Sequence, residues 1–355
     1  MAEFPQSPDA IDATWLSSVL GKPVSEFTIA PLGEGVGILG LVTRVTMTTP
    51  EGSETLIAKF QSPVEGNRDI ANLYSMYQRE YIFYTEIAPT LSVRSPACHY
   101  AAYDEKSSAF VLLLEDLTGY RIGDQITGCS ESETEAVISS LAALHAATWM
   151  TEDFAPIERH NTENQIAGMQ AGLAAGWPVI AEQFSSIIPK GLDAKIESLT
   201  GQIPNLLEGI TQDPICINHG DLRLDNIFFG DSHVALVDFQ AICRSAPEHD
   251  LAYFLTQSLS QSLRNKRDWV ADYHATLTQH GIDYSLETCR ARFKACAMYF
   301  LCYAVVIASA LDLANERGQR LAETILTNCF SALIDLDALS LICLLYTSPS
   351  PRDRG

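Results

Sequence analysis

The stretch from His219 to Phe239 constrains this chain more than any other part of its sequence. It begins His-Gly-Asp221-x-x-x-x-Asn226, continues as an apolar run, and reaches Asp238 in Leu-Val-Asp-Phe-Gln. Two short apolar runs separated by a turn predict a hairpin. The sequence therefore predicts Asp221 and Asn226 on one loop and Asp238 on a second loop, joined by a tight hairpin.

The residue types on these loops suit one kind of chemistry. Hard divalent cations such as Mg²⁺ prefer oxygen ligands from carboxylates and amides. Phosphoryl transfer needs one carboxylate to accept or orient a hydroxyl proton, and further oxygens to hold Mg²⁺ on the phosphates. Asp221 fits the first role, and Asn226 and Asp238 fit the second.

A glycine-rich segment, Gly35-x-Gly37-x-x-Gly40, precedes this region and has three interpretations. A dinucleotide-binding fingerprint would need a helix directly after the last glycine. Residues 41–48 are instead rich in β-branched side chains and predict a strand. Strand, glycine loop and strand form the hairpin that covers nucleotide phosphates in protein-kinase-like folds. A plain glycine-rich turn is the third possibility, so this segment alone decides nothing.

Lys59 lies in the next predicted strand, between apolar neighbours. Burying an ammonium group without a partner is costly, so a lysine there needs a counter-charge. A phosphate, together with the carboxylate of Glu80 in a helix predicted over 69–87, would supply it. The alternative is a lysine on an edge strand that points into water.

The chain has 355 residues, which suits about two domains of about 150 residues each. Its first third predicts strands at 27–32, 41–48, 55–60, 98–103 and 109–114, with a short helix at 8–20 and one long helix. The remainder predicts helices at 131–150, 164–186, 192–208, 246–260, 267–280, 285–313 and 318–339, with short strands at 226–229 and 234–239. We therefore expect a first lobe at 1–117 and a second at 118–340. Residues 341–355 continue neither period and are expected to be a non-native or disordered tail.

These motifs together resemble the aminoglycoside phosphotransferase and choline kinase superfamily, and within it the ecdysteroid-kinase-like branch. Three further segments carry the resemblance: Leu112–Leu117 is similar to the hinge strand, Leu141–Ala146 to the helix after it, and Pro247–Tyr253 to the segment after the metal aspartate. The resemblance implies an α+β, bilobal protein-kinase-like fold. Its N-lobe would be a small five-stranded antiparallel sheet with one helix, and its C-lobe larger and mainly helical.

The resemblance also implies roles for single residues. Asp221 would be the catalytic base, and Arg223 would either stabilise developing charge or serve a structural or substrate-facing role. Asp250 would cap the catalytic loop, and His219 would brace it. The remaining implied roles are metal binding by Asn226 and Asp238, phosphate binding by Lys59 (paired with Glu80) and by the amides of Gly35 and Gly37, and adenine binding by backbone groups from Glu115 to Leu117.

We expect the acceptor to be a small molecule. Only eleven residues separate Asp238 from Asp250, too few for a platform that binds a protein substrate. The expected activity is transfer of the ATP γ-phosphate, with Mg²⁺, to a hydroxyl group. Between Gln165 and Ile188 the only acid is Glu182, which favours a steroid-like or other apolar alcohol over an aminoglycoside or choline. Two alternatives come from other functional classes: a nucleotide-binding pseudokinase and a nicotinamide-dependent oxidoreductase. The strand predicted after the glycines is less consistent with the oxidoreductase.

The expected acceptor wall consists of aromatic residues on the helices around 150–190 and 285–315: Trp177, Phe184, Phe293, Tyr299 and Phe300. Tyr299 or Tyr303 could face the acceptor, although aromatic residues at helical spacing more often belong to a core.

The composition of the chain limits the classes of partner that it is expected to bind. Lys and Arg number 23 against 44 Asp and Glu, a net charge of −21, which argues against a nucleic-acid partner. The uncharged run between Lys294 and Asp312 is short for a membrane span and predicts a buried helix. Nine scattered cysteines without paired spacing predict reduced thiols, and an N-terminus without an apolar stretch agrees with a cytoplasmic location. We expect a monomer or a homodimer.

Overall fold

The computed structural model describes residues 4–32, 39–154, 156–231 and 233–342. They form two compact units. The first holds the described residues up to Tyr120 together with Ala235–Ile242, and the second holds the rest from Arg121 onwards. The segment that carries Asp238, expected in the second lobe, thus belongs to the first unit.

The first unit is built on a five-stranded antiparallel sheet in the order β1-β2-β3-β5-β4. Its strands are β1 (Glu26–Pro31), β2 (Gly40–Thr49), β3 (Gly52–Gln61), β4 (Cys98–Asp104) and β5 (Ala109–Glu115). Buried and part-exposed residues alternate along the second half of β2, as expected for a strand with one face on a core. Residues 109–114 of β5 are buried throughout, because this strand is covered on both faces.

The helices of the first unit differ from the prediction. They are α1 (Ala13–Leu20), α2 (Glu65–Leu73) and α3 (Met76–Ile82), which continues as a π-helical turn at Phe83–Ile87. The single long helix expected over 69–87 is broken at Ser75, whose φ is +53°. Neither glycine nor proline marks this break, so the sequence pattern could not predict it.

The second unit is mainly helical, and its helices are α4 (Glu131–Ala147), α5 (Glu163–Gln183), α6 (Asp193–Ile210), α7 (Glu248–Tyr253), α8 (Gln261–Arg264), α9 (Trp269–Gln279), α10 (Leu286–Ala310) and α11 (Glu316–Asp335). Its short strands are β6 (Arg121–Ile122), β7 (Cys216–Asn218), β8 (Ile227–Phe229) and β10 (Cys243–Ser245), while β9 (Val234–Leu236) leads into the first unit. β7 pairs with β10 and β6 with β8, both antiparallel. A turn closed by the Gly230 N–H and the His233 carbonyl connects β8 to β9.

Helix α10 passes through the centre of this unit. Among the described residues it is the one helix long and apolar enough to span a membrane, and 61% of its most apolar window is buried inside the protein. It packs against α5, α7 and α11. This burial is that of a core helix, as the uncharged run from Lys294 to Asp312 predicts.

Three further predictions concern the glycine-rich segment, the C-terminal tail and the cysteines. Gly35, Gly37 and the segment 343–355 lie outside the described residues. Leu341 and Ile342 are helical, and Ile342 is buried. None of the eight described cysteines forms a disulfide.

Candidate active site

In the first unit, the β-sheet places Lys59 beside two carboxylates. Lys59 is 6% exposed on β3, opposite Val42 and Leu112. Its Nζ lies 2.6 Å from Glu80 Oε2 in α3 and 2.7 Å from Asp238 Oδ1. The lysine is therefore a buried cation with partners, and the edge-strand alternative does not apply.

This ion triad carries two carboxylates for one ammonium. Burial opposes a charge on Lys59, but Asp238 and Glu80 outweigh it and raise the pKa of the lysine. Glu80 is fully buried, and its desolvation raises the pKa of that carboxyl to about 7 despite the adjacent lysine. When Glu80 is ionised the cluster has one excess negative charge, and a cation or a phosphate-bound metal nearby would favour that ionised form.

The backbone at Asp238 is strained in a way that serves side-chain placement. Its φ of +67° puts a non-glycine residue in the left-handed region. Phe239 follows it, is buried, and stacks on Phe83 of the π-helical turn after α3. This packing holds the aspartate at the start of a short 3₁₀ turn, Phe239–Ala241.

In the second unit, the loop from His219 to Asn226 is fixed from below by Asp250. The Asp250 carboxylate accepts the backbone N–H of His219 at 2.6 Å and that of Gly220 at 2.9 Å. Gly220 has a φ of +84°, which glycine adopts without strain. Asp221 therefore sits directly after an anchored turn.

Two histidines contact the buried Asp250. Burial alone would raise the pKa of Asp250, but His145 and His249 outweigh it and lower this pKa strongly. His145 Nε2 lies 3.6 Å from one carboxylate oxygen, and Nδ1 of the same ring lies 2.7 Å from the Tyr273 hydroxyl. An ionised Asp250 can thus keep both of its loop contacts.

The carboxylate of Asp221 receives a hydrogen bond on each oxygen. Tyr253 donates its hydroxyl to Oδ1 at 2.8 Å, and Asn226 donates Nδ2 to Oδ2 at 3.1 Å. Arg223 lies close, with Nε 3.9 Å from Oδ2. The Asp221 side chain is 17% exposed, so it is held in place yet open to a reacting group.

The amide of Asn226 is oriented by the same loop. Its Nδ2 also donates to the Asp221 carbonyl at 2.9 Å. Because the amide nitrogen faces Asp221, the amide oxygen is the atom left to bind a cation. Asn226 in the second unit thus offers an amide oxygen, and Asp238 in the first unit offers a carboxylate; each is a kind of hard oxygen ligand that Mg²⁺ prefers.

A comparison of the sequence with models of known protein families identifies the family of this chain. A model of the ecdysteroid kinase-like family matches residues 35–284, more than half of the chain. The chain belongs to the ecdysteroid kinase-like family. No sequence match was found among curated proteins.

Solved structures show the same fold for this ecdysteroid kinase-like protein at low identity. Choline kinase from Cryptosporidium parvum Iowa II is 12% identical with a TM-score of 0.59, covering 96% of this chain and 97% of its own. A choline/ethanolamine kinase family protein from Mesorhizobium loti is 13% identical with a TM-score of 0.52, and the match covers 90% of this chain and 93% of that protein. An aminoglycoside 2′-phosphotransferase variant, solved as its GDP complex, is 13% identical with a TM-score of 0.50, and the match covers 90% of this chain and 91% of that protein.

The backbone groups predicted to bind adenine, from Glu115 to Leu117, are partly engaged in hydrogen bonds within this ecdysteroid kinase-like structure. The backbone N–H of Glu115 donates to the Ala97 carbonyl at 2.8 Å, and the Leu117 carbonyl accepts from Tyr120 at 3.2 Å. The Glu115 side chain is engaged by Arg94 and by the Ala97 N–H. Glu115 therefore acts first as a structural residue that fastens the end of β5.

The expected aromatic acceptor wall is wrong for the five residues that were to form it. Each of them is at most 7% exposed: Trp177, Phe184, Phe293, Tyr299 and Phe300. The Tyr299 hydroxyl is taken by His160 and Gln165, and the Trp177 indole N–H by Asp193. Their helical spacing reflects core packing. Tyr303 is the partly exposed member of this group, and its ring lies 5.4 Å from that of Tyr253.

Sequence reasoning missed two residues that shape the loop from His219 to Asn226. Tyr253 stands three residues after Asp250, which brings it to the same face of α7, and that spacing was the available signal. Gln125 accepts the Leu224 N–H at 2.9 Å and donates to the Gln257 carbonyl. No local pattern marks Gln125, because its partners are distant in sequence. His219 braces the loop as expected, since its Nδ1 accepts the Asp221 N–H at 3.3 Å.

Proposed function

We propose that this protein is a small-molecule kinase that moves the γ-phosphate of ATP to a hydroxyl group of an organic alcohol. The observation that carries the proposal is the doubly hydrogen-bonded yet accessible carboxylate of Asp221, on a loop anchored by Asp250. A module that only binds nucleotide has no need for an exposed, oriented base of this kind. This is the feature that disfavours the pseudokinase alternative.

Each residue has a distinct part in the proposed reaction. Asp221 orients the acceptor hydroxyl and takes its proton as the oxygen attacks phosphorus. Lys59, held by Glu80, binds nucleotide phosphate oxygens, and Arg223 stabilises charge on the transferring group. Asp238 in the first unit and Asn226 in the second are the residues that would hold Mg²⁺. When bound, this ion neutralises phosphate charge.

We propose an apolar, steroid-like alcohol as the acceptor class. Two observations support it: membership of the ecdysteroid kinase-like family, and the partly exposed ring of Tyr303 beside Tyr253, the hydrogen-bond partner of Asp221. An aminoglycoside or choline would be expected to meet clustered acids or an aromatic cage. We also expect a cytoplasmic protein whose partners are small molecules.

The test is ADP release with Mg-ATP across sterols, aminoglycosides, macrolides, choline and sugars, each also with Mg-GTP. We expect activity with a sterol-type alcohol, and its loss by at least about 1,000-fold in Asp221→Asn because the base is removed. ATP-induced stabilisation should persist in that variant, since Asp221 does not hold the nucleotide. Asp238→Ala should instead lose this stabilisation.

Asp225→Asn is the matched control, because Asp225 is in the same loop but makes no proposed contact with the reacting groups. It should retain activity within a few-fold. Equal turnover by Asp221→Asn and the unmodified protein would contradict the assigned base. Activity with choline or an aminoglycoside alone would contradict the acceptor class and keep the enzyme class.

A further inference from the structure

Behind the catalytic loop, three potential metal ligands converge in the second unit. They are His160, Cys243 of β10 and His249 of α7. One ligand atom from each lies within 4.8 Å of the other two. Cys243 and His249 are fully buried, and His160 is partly buried.

His249 supplies an independent sign of a ligand. Among the described residues, neither of its ring nitrogens has a hydrogen-bond partner, although the side chain is buried. Buried polar groups are nearly always satisfied, so an imidazole in this state calls for a partner. Nδ1 lies 3.5 Å from Asp250 Oδ1, which leaves Nε2 as the nitrogen in need of one.

We propose that His160, Cys243 and His249 form a zinc site. A thiolate with two imidazoles is a ligand set that Zn²⁺ binds well. In a tetrahedral site these atoms would be about 3.3–3.7 Å apart, as Zn–N of about 2.0 Å and Zn–S of about 2.3 Å require. Ligand atoms that are up to 4.8 Å apart must therefore approach one another by as much as about 1.5 Å when the ion binds. The fourth position is left for water or for the Tyr299 hydroxyl, which lies 2.7 Å from His160 Nε2.

The surroundings match the charge of such a site. Zinc with one thiolate and two neutral imidazoles carries one net positive charge, and the Asp250 carboxylate beside His249 balances it. A carboxylate next to a ligating histidine is a frequent outer partner that fixes the ring. Binding requires the Cys243 thiol to lose its proton to solvent as the Zn–S bond forms.

The site would reinforce the catalytic loop without taking part in phosphoryl transfer. Asp250 is the residue that holds the His219 and Gly220 amides, so a metal on His249 would restrict the anchor of that loop. The expected effect is on stability. The proposal does not rest on the proposed function, because zinc binding can be measured without nucleotide or acceptor.

The experiment is zinc titration of the full chain after chelator treatment, followed by metal content and thermal unfolding. One equivalent should bind and raise the melting temperature by a few degrees. Cys243→Ala should abolish both effects. Cys296→Ala, which removes another fully buried thiol of the same unit, should keep them.

Cobalt(II) gives a second readout on the unmodified protein, so the test does not depend on the folding of a variant. Tetrahedral cobalt with a thiolate ligand should show a sulfur-to-metal charge-transfer band. Absence of this band, or equal zinc binding by Cys243→Ala and Cys296→Ala, would overturn the proposal. Zinc bound without any rise in melting temperature would overturn the reinforcement of the loop.

Discussion

Among single residues, Tyr253 has the most direct influence on how Asp221 is held. It is 3% exposed, and its hydroxyl donates to the carboxylate at 2.8 Å. Tyr253 is thus a positioning residue that acts through Asp221. A hydrogen bond to a charged group is stronger than one between neutral groups, so its loss should be measurable.

Tyr253→Phe removes this donor and keeps the ring that packs on Phe300. We expect kcat to fall about ten-fold, equivalent to about 1.4 kcal/mol, because the carboxylate is less well oriented. KM for ATP should stay the same. Steady-state kinetics with varied ATP and acceptor measure both quantities.

Tyr273→Phe is the matched control for this change. Tyr273 is equally buried in the same unit, but its hydroxyl contacts His145 and not Asp221. It should lower the melting temperature with little effect on kcat. Parallel losses in both variants would mean that Tyr253 serves stability alone.

The residues of the site were predictable to different degrees. Asp221, Asn226 and Asp238 stand in a local motif, and Lys59 was recognisable as a cation in an apolar strand. The contact of Lys59 with Asp238 spans 179 residues of sequence and was not predicted, because no local pattern links the two residues. The prediction that Tyr299 belongs to the acceptor wall was wrong because a helix that is apolar on all sides does not reveal which face meets a ligand.

At the scale of secondary structure, α7 carries a buried acid whose charge depends on pH. Glu248, at its first position, is fully buried, and desolvation raises its pKa from 4.5 to about 7 although Arg292 lies 3.4 Å away. The folded state therefore holds more protons than the unfolded state between about pH 4.5 and 7. Stability contributed by this group falls as pH rises through that window.

Glu248→Gln mimics the protonated acid and removes this dependence. We expect the free energy of unfolding of the variant, relative to the unmodified protein, to rise by about 3 kcal/mol from pH 4.5 to pH 7.5. Urea unfolding at several pH values measures the difference. Because Glu80 shifts in the same direction, the comparison uses the difference between variants and not the absolute pH profile.

Glu135→Gln is the control for that series, since the Glu135 side chain is 52% exposed. Its difference from the unmodified protein should stay nearly constant with pH. A constant difference for Glu248→Gln as well would show that Glu248 is ionised throughout the range.

Most helices and strands followed from sequence periodicity, and the exceptions have identifiable causes. Strands β6, β7 and β10 have two or three residues each, too few for a period to be visible. The break at Ser75 lacks the usual glycine or proline. The predicted helix 246–260 is in fact α7 followed by a π-helical turn at Phe254–Ser258, a change of hydrogen-bond pattern that side-chain periodicity does not show.

For the whole molecule, the sequence predicted two units and the five-stranded sheet, but it did not predict the path of the chain between them. Ala235–Ile242 returns to the first unit after the second has begun. The pattern of apolar residues in a short hairpin is the same in either unit, so it could not reveal this exchange. The net charge of −21, by contrast, is a property of the entire chain that needs no structure.

This charge predicts a salt response. Self-repulsion among excess carboxylates destabilises the folded state, and salt screens it as the Debye length shortens from about 30 Å at 0.01 M to about 8 Å at 0.15 M. We expect the melting temperature to rise over that range, equally in NaCl and KCl. A fall would show that surface ion pairs, such as Arg290 with Asp268, contribute more than the net repulsion.

The most direct test of the central claim is to follow the γ-phosphate itself. The measurement is mass spectrometry of the alcohol after incubation with Mg-ATP and the unmodified protein, with Asp221→Asn in parallel. The account predicts one added phosphoryl group per acceptor molecule, in step with ADP formed, and none with Asp221→Asn. ADP formed without a phosphorylated alcohol, or equal product from both proteins, would contradict it.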